Sequence, residues 1–174
     1  AACSSTTVWQ NTATTFTDQS QPATGWHWDF GVTSQTNDTS NVQNPTFTYP
    51  GPGTYTVTLT AQTTPCPSYI TQVITVNPLP TANFTTNGSC TSLNASFTDQ
   101  SLIANPSTIT SWSWYFGDPA SGVNNTSSVQ NPSHLFTAIG TYTVTLTITS
   151  SEGCQSTVNL TISVGAPPIA QFTS

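Results

Sequence analysis

Residues 53–60 read Gly-Thr-Tyr-Thr-Val-Thr-Leu-Thr, and the same eight residues return unchanged at 140–147. In both stretches Tyr, Val and Leu alternate with Thr, which is the period-2 pattern of a β-strand with one buried face and one exposed face. We therefore predict a half-buried strand at each place. An identical strand that occurs twice in one chain also indicates an internal repeat.

Three further motifs recur in the same order before each of these strands, with a period of about 88 residues. They are Phe-Thr-Asp-Gln-Ser (16–20 and 97–101), Trp-x-Trp-x-Phe-Gly (26–31 and 112–117) and Val-Gln-Asn-Pro (42–45 and 129–132). Pro-Gly, Asn-Pro and Asn-Gly turn signals separate them. Several short strands per copy predict an all-β fold, with two tandem Ig-like antiparallel β-sandwiches in a rod.

The repeat predicts how the chain is divided. We assign residues 1–77 to a first repeat that lacks its first strand, 78–165 to a second repeat, and 166–174 to the first strand of a third. The basis is that Pro-Thr-Ala-Asn-Phe-Thr at 80–85 matches Pro-Ile-Ala-Gln-Phe-Thr at 168–173. We expect a window onto a longer array with semi-rigid, Pro-rich linkers. An alternative is that the last strand of one molecule completes the first repeat of the next.

Taken together, these motifs resemble the PKD (polycystic kidney disease) domain family. The family pattern of W-D-F-G-D-G, then N-P, an aromatic residue and G-x-Y-x-V-x-L is matched at 28–31, 44–47 and 53–59, and again in the second copy. The resemblance implies Ig-like sandwiches in a large secreted surface protein of a bacterium or archaeon, acting as a stalk, a spacer or a binder. Two positions depart from the pattern, namely Val32 and Tyr115, where the family has Asp.

Aromatic residues supply the expected core. Trp26, Trp28 and Phe30 lie on one face of their strand, which favours packing between the sheets over a sugar-binding platform. Trp9 has no counterpart in the second repeat, so it is the candidate for an exposed contact with a partner. The predicted core signature consists of Trp28, Phe30, Tyr55, Trp114, Phe116 and Tyr142.

The four cysteines allow three disulfide pairings. Cys66 and Cys154 hold matching positions before the last strand of each copy, and Cys3 and Cys90 each precede the Phe-Thr-Asp-Gln-Ser strand. The repeat therefore favours the pairs Cys3–Cys66 and Cys90–Cys154, and with them an extracellular or cell-surface location. Zinc is the alternative, but it lacks a Cys-x-x-Cys pair and would have to bridge both repeats.

The charge composition excludes several partners. The chain has six carboxylates and neither Lys nor Arg, and only 3% of its residues are charged, against about 25% in ordinary domains. Binding to nucleic acid or to an anionic membrane needs basic residues, and no apolar run approaches the roughly 20 residues of a membrane span. We expect the partners to be neighbouring repeats of the same chain or identical chains, with surface glycans as a further candidate.

The remaining polar residues do not suggest catalysis. Asp18 and Asp99 stand in identical contexts, where a carboxylate is expected to accept backbone N–H bonds in a turn. A calcium site there is the less favoured alternative, because it needs several converging oxygens. His27 and His134 do not match between copies and have no evident partner, and the common hydrolase and phosphate-binding motifs are absent.

These observations predict no enzyme activity, no catalytic residue, no metal and no cofactor. The function that they favour is a structural stalk or filament module of a large extracellular repeat protein that supports adhesion or fibre assembly. The alternative is a carbohydrate-binding accessory or spacer module of a secreted hydrolase.

Overall fold

The computed structural model of the chain describes residues 8–63, 66–87 and 92–165. The described residues form two compact units, one ending at Pro78 and the other starting at Leu79, which we call repeat 1 and repeat 2. Both consist of β-strands arranged in Ig-like sandwiches. The predicted fold class, all-β with two tandem sandwiches, is confirmed.

Within the described residues, repeat 1 has seven strands in two sheets. One sheet has the order β1-β7-β6-β3-β4, and the other is the pair β2-β5. All pairs are antiparallel except β1 with β7, where Val8 lies beside Val76. The strands are β1 (Val8–Trp9), β2 (Ala13–Thr15), β3 (Gly25–Asp29), β4 (Thr39–Ser40), β5 (Thr46–Thr48), β6 (Gly53–Gln62) and β7 (Ser68–Asn77).

Repeat 2 has the same plan, except that among the described residues it has no counterpart of β1 and has an additional strand, β8. Its sheets have the orders β11-β10-β13-β14 and β12-β9-β8, so β9 has a neighbour on both sides, whereas the equivalent β2 pairs only with β5 among the described strands. A 3₁₀ segment spans Pro119–Asn125. The strands are β8 (Phe84–Thr86), β9 (Asn94–Asp99), β10 (Ile109–Tyr115), β11 (Thr126–Ser127), β12 (Ser133–Leu135), β13 (Gly140–Ser150) and β14 (Gln155–Val164).

Strand β6 in repeat 1 and strand β13 in repeat 2 are inner strands of the larger sheet of their repeat, and their side chains alternate between more buried and more exposed positions. Val57 and Leu59 of β6 are buried, as are Val144 and Leu146 of β13, and the intervening threonines are more exposed. Because strand side chains point alternately to opposite faces, this alternation gives each sheet its buried face. One apolar cluster fills each repeat.

The predicted core residues lie in these two clusters. Trp28, Phe30, Trp114 and Phe116 are buried, with at most 5% of each exposed. The two tyrosines of the signature are partly buried against the clusters, and their hydroxyls donate to main-chain carbonyls four residues upstream. The bonds run from Tyr55 to Gly51 (2.9 Å) and from Tyr142 to Ala138 (2.8 Å).

Trp9 does not lie where the sequence suggested. It is in β1 beside Asn77 and only 4% of it is exposed. The expectation that Trp9 is exposed is wrong, because its side chain is almost entirely covered.

Candidate functional site

A carboxylate in repeat 2 joins three of the recurring motifs. Asp99 Oδ2 accepts hydrogen bonds from Trp112 Nε1 (2.7 Å) and from Gln130 Nε2 (3.1 Å), and Asp99 Oδ1 accepts the main-chain N–H of Ser101 (3.0 Å). The main-chain N–H of Asp99 in turn donates to Asn131 Oδ1 (2.8 Å). The Trp, Gln-Asn and Asp-Gln-Ser motifs therefore meet at one side chain.

Repeat 1 builds the same network around Asp18. Trp26 Nε1 donates to Asp18 Oδ2 at 2.6 Å, Gln43 Nε2 donates to the same oxygen at 3.3 Å, and Ser20 N donates to Oδ1 at 2.9 Å. Asn44 Oδ1 accepts from the main chain of Asp18 at 2.9 Å. The predicted turn bonds at these two aspartates are present, but the indole and amide donors were not foreseen.

The hydrogen bonds set the protonation of both carboxyls. The bonds from Ser20 are the main reason that the pKa of Asp18 lies below its ordinary value, and those from Gln43 and Trp26 act in the same direction against burial. Burial raises the pKa of Asp99, but the bonds from Ser101, Gln130 and Trp112 outweigh it and hold the pKa below its ordinary value. Both groups are therefore held as carboxylates.

Repeat 2 also contains a buried acid–imidazole pair. His134 Nε2 lies 3.3 Å from Asp118 Oδ2, and only 3% of either side chain is exposed. Thr137 donates to the same carboxylate, from its N–H to Oδ2 (2.9 Å) and from its hydroxyl to Oδ1 (2.7 Å). Burial raises the pKa of Asp118, but the bonds from Thr137 and the contact with His134 together hold it below its ordinary value. His134 thus has a partner that the sequence did not reveal.

The equivalent place in repeat 1 is apolar. Phe47 stacks on Phe30 with ring centroids 4.3 Å apart, as His134 stacks on Phe116 at the same distance. Val32 replaces Asp118 there and is buried. Both members of the pair therefore differ between the two repeats, and no motif in the sequence indicated that they touch.

The cysteines are placed differently in the two repeats. Cys66 is exposed and its thiol is free in the structure, so the predicted Cys3–Cys66 bond is not formed here. Cys154 is buried and is bonded in a disulfide. Cys3 and Cys90 lie outside the described residues, and the pairing Cys90–Cys154 stays a prediction.

Neither a cluster of metal-binding side chains nor a helix able to span a membrane occurs among the described residues. Across residues 8–63, 66–87 and 92–165, no group of three or more His, Cys, Asp or Glu side chains could hold a metal ion. The same part of the chain has no helix long and apolar enough to cross a membrane. What the arrangement does chemically is to fasten strands and turns to one another.

The chain has two sandwiches, and each contains its own copy of the same set of internal polar bonds. This arrangement defines a tandem Ig-like repeat protein. The sequence matches the PKD domain family twice, over residues 1–77 and 75–164, and the chain therefore belongs to the PKD domain family. PKD domains occur as non-catalytic modules in bacterial proteins and are typical of extracellular ones.

Solved structures of three proteins are similar to this chain. The PKD1 domain of Vibrio anguillarum Epp is 33% identical, covering 52% of this chain and 99% of that chain, with a TM-score of 0.45. The PKD1 domain from the Vibrio cholerae metalloprotease PrtV is 30% identical, covering 50% and 98%, with a TM-score of 0.43. Three N-terminal domains of the bacteriophage RB49 outer capsid protein Hoc are 12% identical, covering 92% and 66%, with a TM-score of 0.46.

Proposed function

We propose that this chain is a non-catalytic structural module of a large extracellular repeat protein, where it supports cell-surface adhesion or fibre assembly. One observation carries the proposal: the polar residues that both repeats share are used to hold the fold. Asp18 and Asp99 each accept three hydrogen bonds from their own repeat. A motif built for a ligand would instead present donors and acceptors to an open cleft.

The buried pair of repeat 2 supports the same proposal. Asp118 is bonded to His134 and twice to Thr137, all within the sandwich. A general acid or base must reach a substrate proton, and this carboxylate is almost entirely covered. The proposal needs no catalytic residue and no cofactor.

An extracellular location is the second element of the proposal. It is supported by the family and by the disulfide at Cys154, since such bonds persist mainly in oxidising compartments. Mass mapping of an unreduced chymotryptic digest tests it. We expect a linked peptide pair that joins Cys90 to Cys154, and free thiols at both positions in protein from oxidised medium would contradict it.

Single-molecule stretching tests the structural role directly. If each sandwich carries load by itself, the chain held by its two ends unfolds in two separate force events. Each event should release about 3.5 Å per unfolded residue. A chain that extends without resistance, or that shows one event for both repeats, would contradict the proposal.

The alternative, a carbohydrate-binding accessory module, has lost the residue on which it rested, because Trp9 is buried. Among the described residues, the largely exposed aromatic side chains are Tyr69 (75% exposed) and Tyr115 (45% exposed). Glycan-array binding of the native chain, with Tyr69→Ala and Tyr115→Ala as paired variants, separates the two functions. We expect no binding by the native chain, whereas binding that either variant abolishes would replace the structural proposal.

A further inference from the structure

Strand β14 of repeat 2 is a long strand at the edge of its sheet. It spans Gln155–Val164 and pairs along its whole length with β13, from Gln155 beside Thr149 to Val164 beside Gly140. No other described strand pairs with it. The main-chain N–H and C=O groups on its other side are therefore open to a further strand.

β14 carries none of the features that usually protect the edge of a sheet. Natural edge strands are kept apart by a short length, a charged side chain, a proline or a β-bulge. The other edge strands of repeat 2 among the described residues, β8, β11 and β12, contain two or three residues each. β14 has ten residues, its register with β13 is unbroken, and its sequence contains neither a charged residue nor a proline.

One apolar side chain is partly uncovered in the middle of this strand. Leu160 stands beside Val144, so it lies on the face of the sheet that is turned to the core. Val144 is fully buried, and Ile162 and Val164 of β14 are 7% and 3% exposed, whereas 38% of Leu160 is exposed. A strand added at the free edge of β14 lies next to Leu160 and covers it.

The sequence of β14 matches itself when two copies run antiparallel. With Leu160 of one copy opposite Leu160 of the other, the pairing extends over residues 156–164. Because strand side chains alternate between two faces, the core-facing residues of the two copies then lie on the same face. Val158 stands opposite Ile162 on that face, and the outward hydroxyl and amide side chains likewise meet one another.

Charge does not oppose this pairing. Like charges placed directly opposite each other destabilise a pair of strands, and two identical edges would bring such charges together. The chain has neither Lys nor Arg, and β14 has no ionisable side chain. The acidic residue nearest in sequence is Glu152, which lies in the turn before the strand and outside residues 156–164. Neither copy therefore brings a charge to the paired strands.

We propose that two copies of the chain associate through β14, by antiparallel pairing of the two strands about a two-fold axis with Leu160 opposite Leu160. The two four-stranded sheets then form one continuous sheet. Each copy contributes the same surface, and the contact combines main-chain bonds with side-chain contacts. The paired region is about 30 Å long, so the association is weak and depends on concentration. The inference is independent of the proposed structural function.

Sedimentation velocity of the intact chain tests the association. Between about 10 µM and about 1 mM, we expect a monomer that converts to a dimer and to no larger species, because a two-fold contact is closed. A chain that stays monomeric up to about 1 mM overturns the proposal. Oligomers larger than a dimer contradict a closed contact at this strand.

Charges introduced at the two-fold axis test the strand and its register. Leu160→Lys and Leu160→Glu each place like charges opposite each other, so each should raise the dimer dissociation constant at least about tenfold. An equal mixture of the two variants places opposite charges together and should form a one-to-one dimer. A mixture that stays monomeric contradicts the register.

Val123→Lys is the matched control for the added charge. Val123 is 91% exposed in the 3₁₀ segment that leads into β11, the strand at the opposite edge of the same sheet. This variant should dimerise as the native chain does. Dimerisation that survives Leu160→Lys, or that Val123→Lys weakens equally, excludes β14 as the contact.

A second variant keeps the test independent of the core. Asn159 and Thr161 are exposed and stand opposite each other in the proposed pairing. Asn159→Asp together with Thr161→Asp therefore adds like charges to the contact without changing a core residue, and should weaken the dimer at least about tenfold. Asn159→Gln together with Thr161→Ser should leave it unchanged. Equal dimerisation of these two double variants overturns the proposal.

Hydrogen exchange locates the contact within the native chain. The amides of β14 should exchange more slowly at about 1 mM than at about 10 µM, because the free edge is then paired. The amides of β11 should exchange at the same rate at both concentrations. Slowing that is equal in the two strands, or absent from β14, would place the association elsewhere.

Discussion

Two glycines in repeat 2 both have a positive φ but have different surroundings. Gly117 has φ +74°, and a Cβ there would lie 2.5 Å from the main-chain oxygen of Thr143. Gly122 has φ +61° with nothing within 4 Å. Gly31 repeats the first situation, at 2.4 Å from Thr56 O. The glycine of the Trp-x-Phe-Gly motif is therefore required by the close approach of a second main-chain segment as well as by its positive φ.

These two glycines give a matched pair of substitutions. Gly122→Ala should cost about 1–3 kcal/mol, the usual cost of a non-glycine residue in a sparsely populated backbone region. Gly117→Ala should cost about 3 kcal/mol or more, because the strand carrying Thr143 must also move. Chemical denaturation followed by tryptophan fluorescence measures both. Equal losses of unfolding free energy would show that the close approach does not matter.

The aspartate network predicts how stability depends on pH. The pKa of Asp99 is lower in the folded than in the unfolded chain, so its contribution is complete above its ordinary pKa of 3.8 and is lost as pH falls through the folded value. We expect a nearly flat free energy of unfolding from pH 7 to about 5, and a fall below about 4.

Asp99→Asn tests this origin. It should lower the unfolding free energy by about 1–3 kcal/mol at pH 7, the usual range for hydrogen bonds to a charged group. It should also make the fall below pH 4 smaller than in the native chain. An unchanged acid dependence, measured by denaturation at pH 7, 5, 3.5 and 2.5, would contradict the assignment.

The Asp118–His134 pair can be converted to the apolar arrangement of repeat 1. Asp118→Val leaves His134 without its partner in a buried place, so it should cost about 3–5 kcal/mol. His134→Phe together with it restores the ring stack that Phe47 makes on Phe30. The double variant should be more stable than the sum of the single losses by about 1–3 kcal/mol.

Thr137 provides the control for these single and double variants. Its counterpart in repeat 1 is Pro50, which has neither an N–H nor a hydroxyl to satisfy. Adding Thr137→Pro to the double variant should therefore not destabilise it further. Strict additivity of the first two changes, in unfolding free energies from denaturation, would argue that the pair is not coupled.

Single residues show what the sequence could and could not predict. The alternating pattern placed Trp28 and Trp114 in the core, because periodicity reports which face of a strand is buried. It could not predict that Trp9 is buried, because Trp9 stands in a short strand that has no counterpart in repeat 2. It also could not pair Trp112 with Asp99, because the two residues are 13 positions apart and meet only through the fold.

At the scale of elements, the same sequence forms strands of different length in the two repeats. β9 covers Asn94–Asp99 and so includes the first three residues of its Phe-Thr-Asp-Gln-Ser motif. β2, its equivalent, ends at Thr15, directly before the same motif. The difference is the neighbour, since β8 pairs with Asp99, Thr98 and Phe97. Strand length is therefore set by the available partner as much as by local sequence, and local pattern alone could not predict it.

Removing the Phe84 side chain should make repeat 2 resemble repeat 1. The ring is 5% exposed and packs on Phe97 and Trp114, so Phe84→Ala should cost about 3–5 kcal/mol. Thr85→Ala on the exposed face of β8 is the matched control and should change stability by less than about 1 kcal/mol. Hydrogen exchange at the Gln100 amide, which bonds to Asn83, should accelerate only in the first variant. Equal protection in both would contradict the assigned role of Phe84.

The two repeats have the same plan, but the core of repeat 1 is less fully covered than the core of repeat 2. With no Lys or Arg in the chain, stability rests on apolar burial, strand pairing and internal polar bonds such as those of Asp18 and Asp99. Repeat 2 has a full set of these, including β8. Repeat 1 has the same core residues but exposes part of them along β7.

Differential scanning calorimetry of the intact chain tests this central claim most directly. We predict two transitions, with repeat 1 unfolding at the lower temperature because Phe16 and Ile70 are only partly covered. Phe84→Ala assigns them, since it should lower only the upper transition. A single cooperative transition, or a Phe84→Ala variant in which the lower transition moves instead, would contradict two sandwiches of which the first is the less complete.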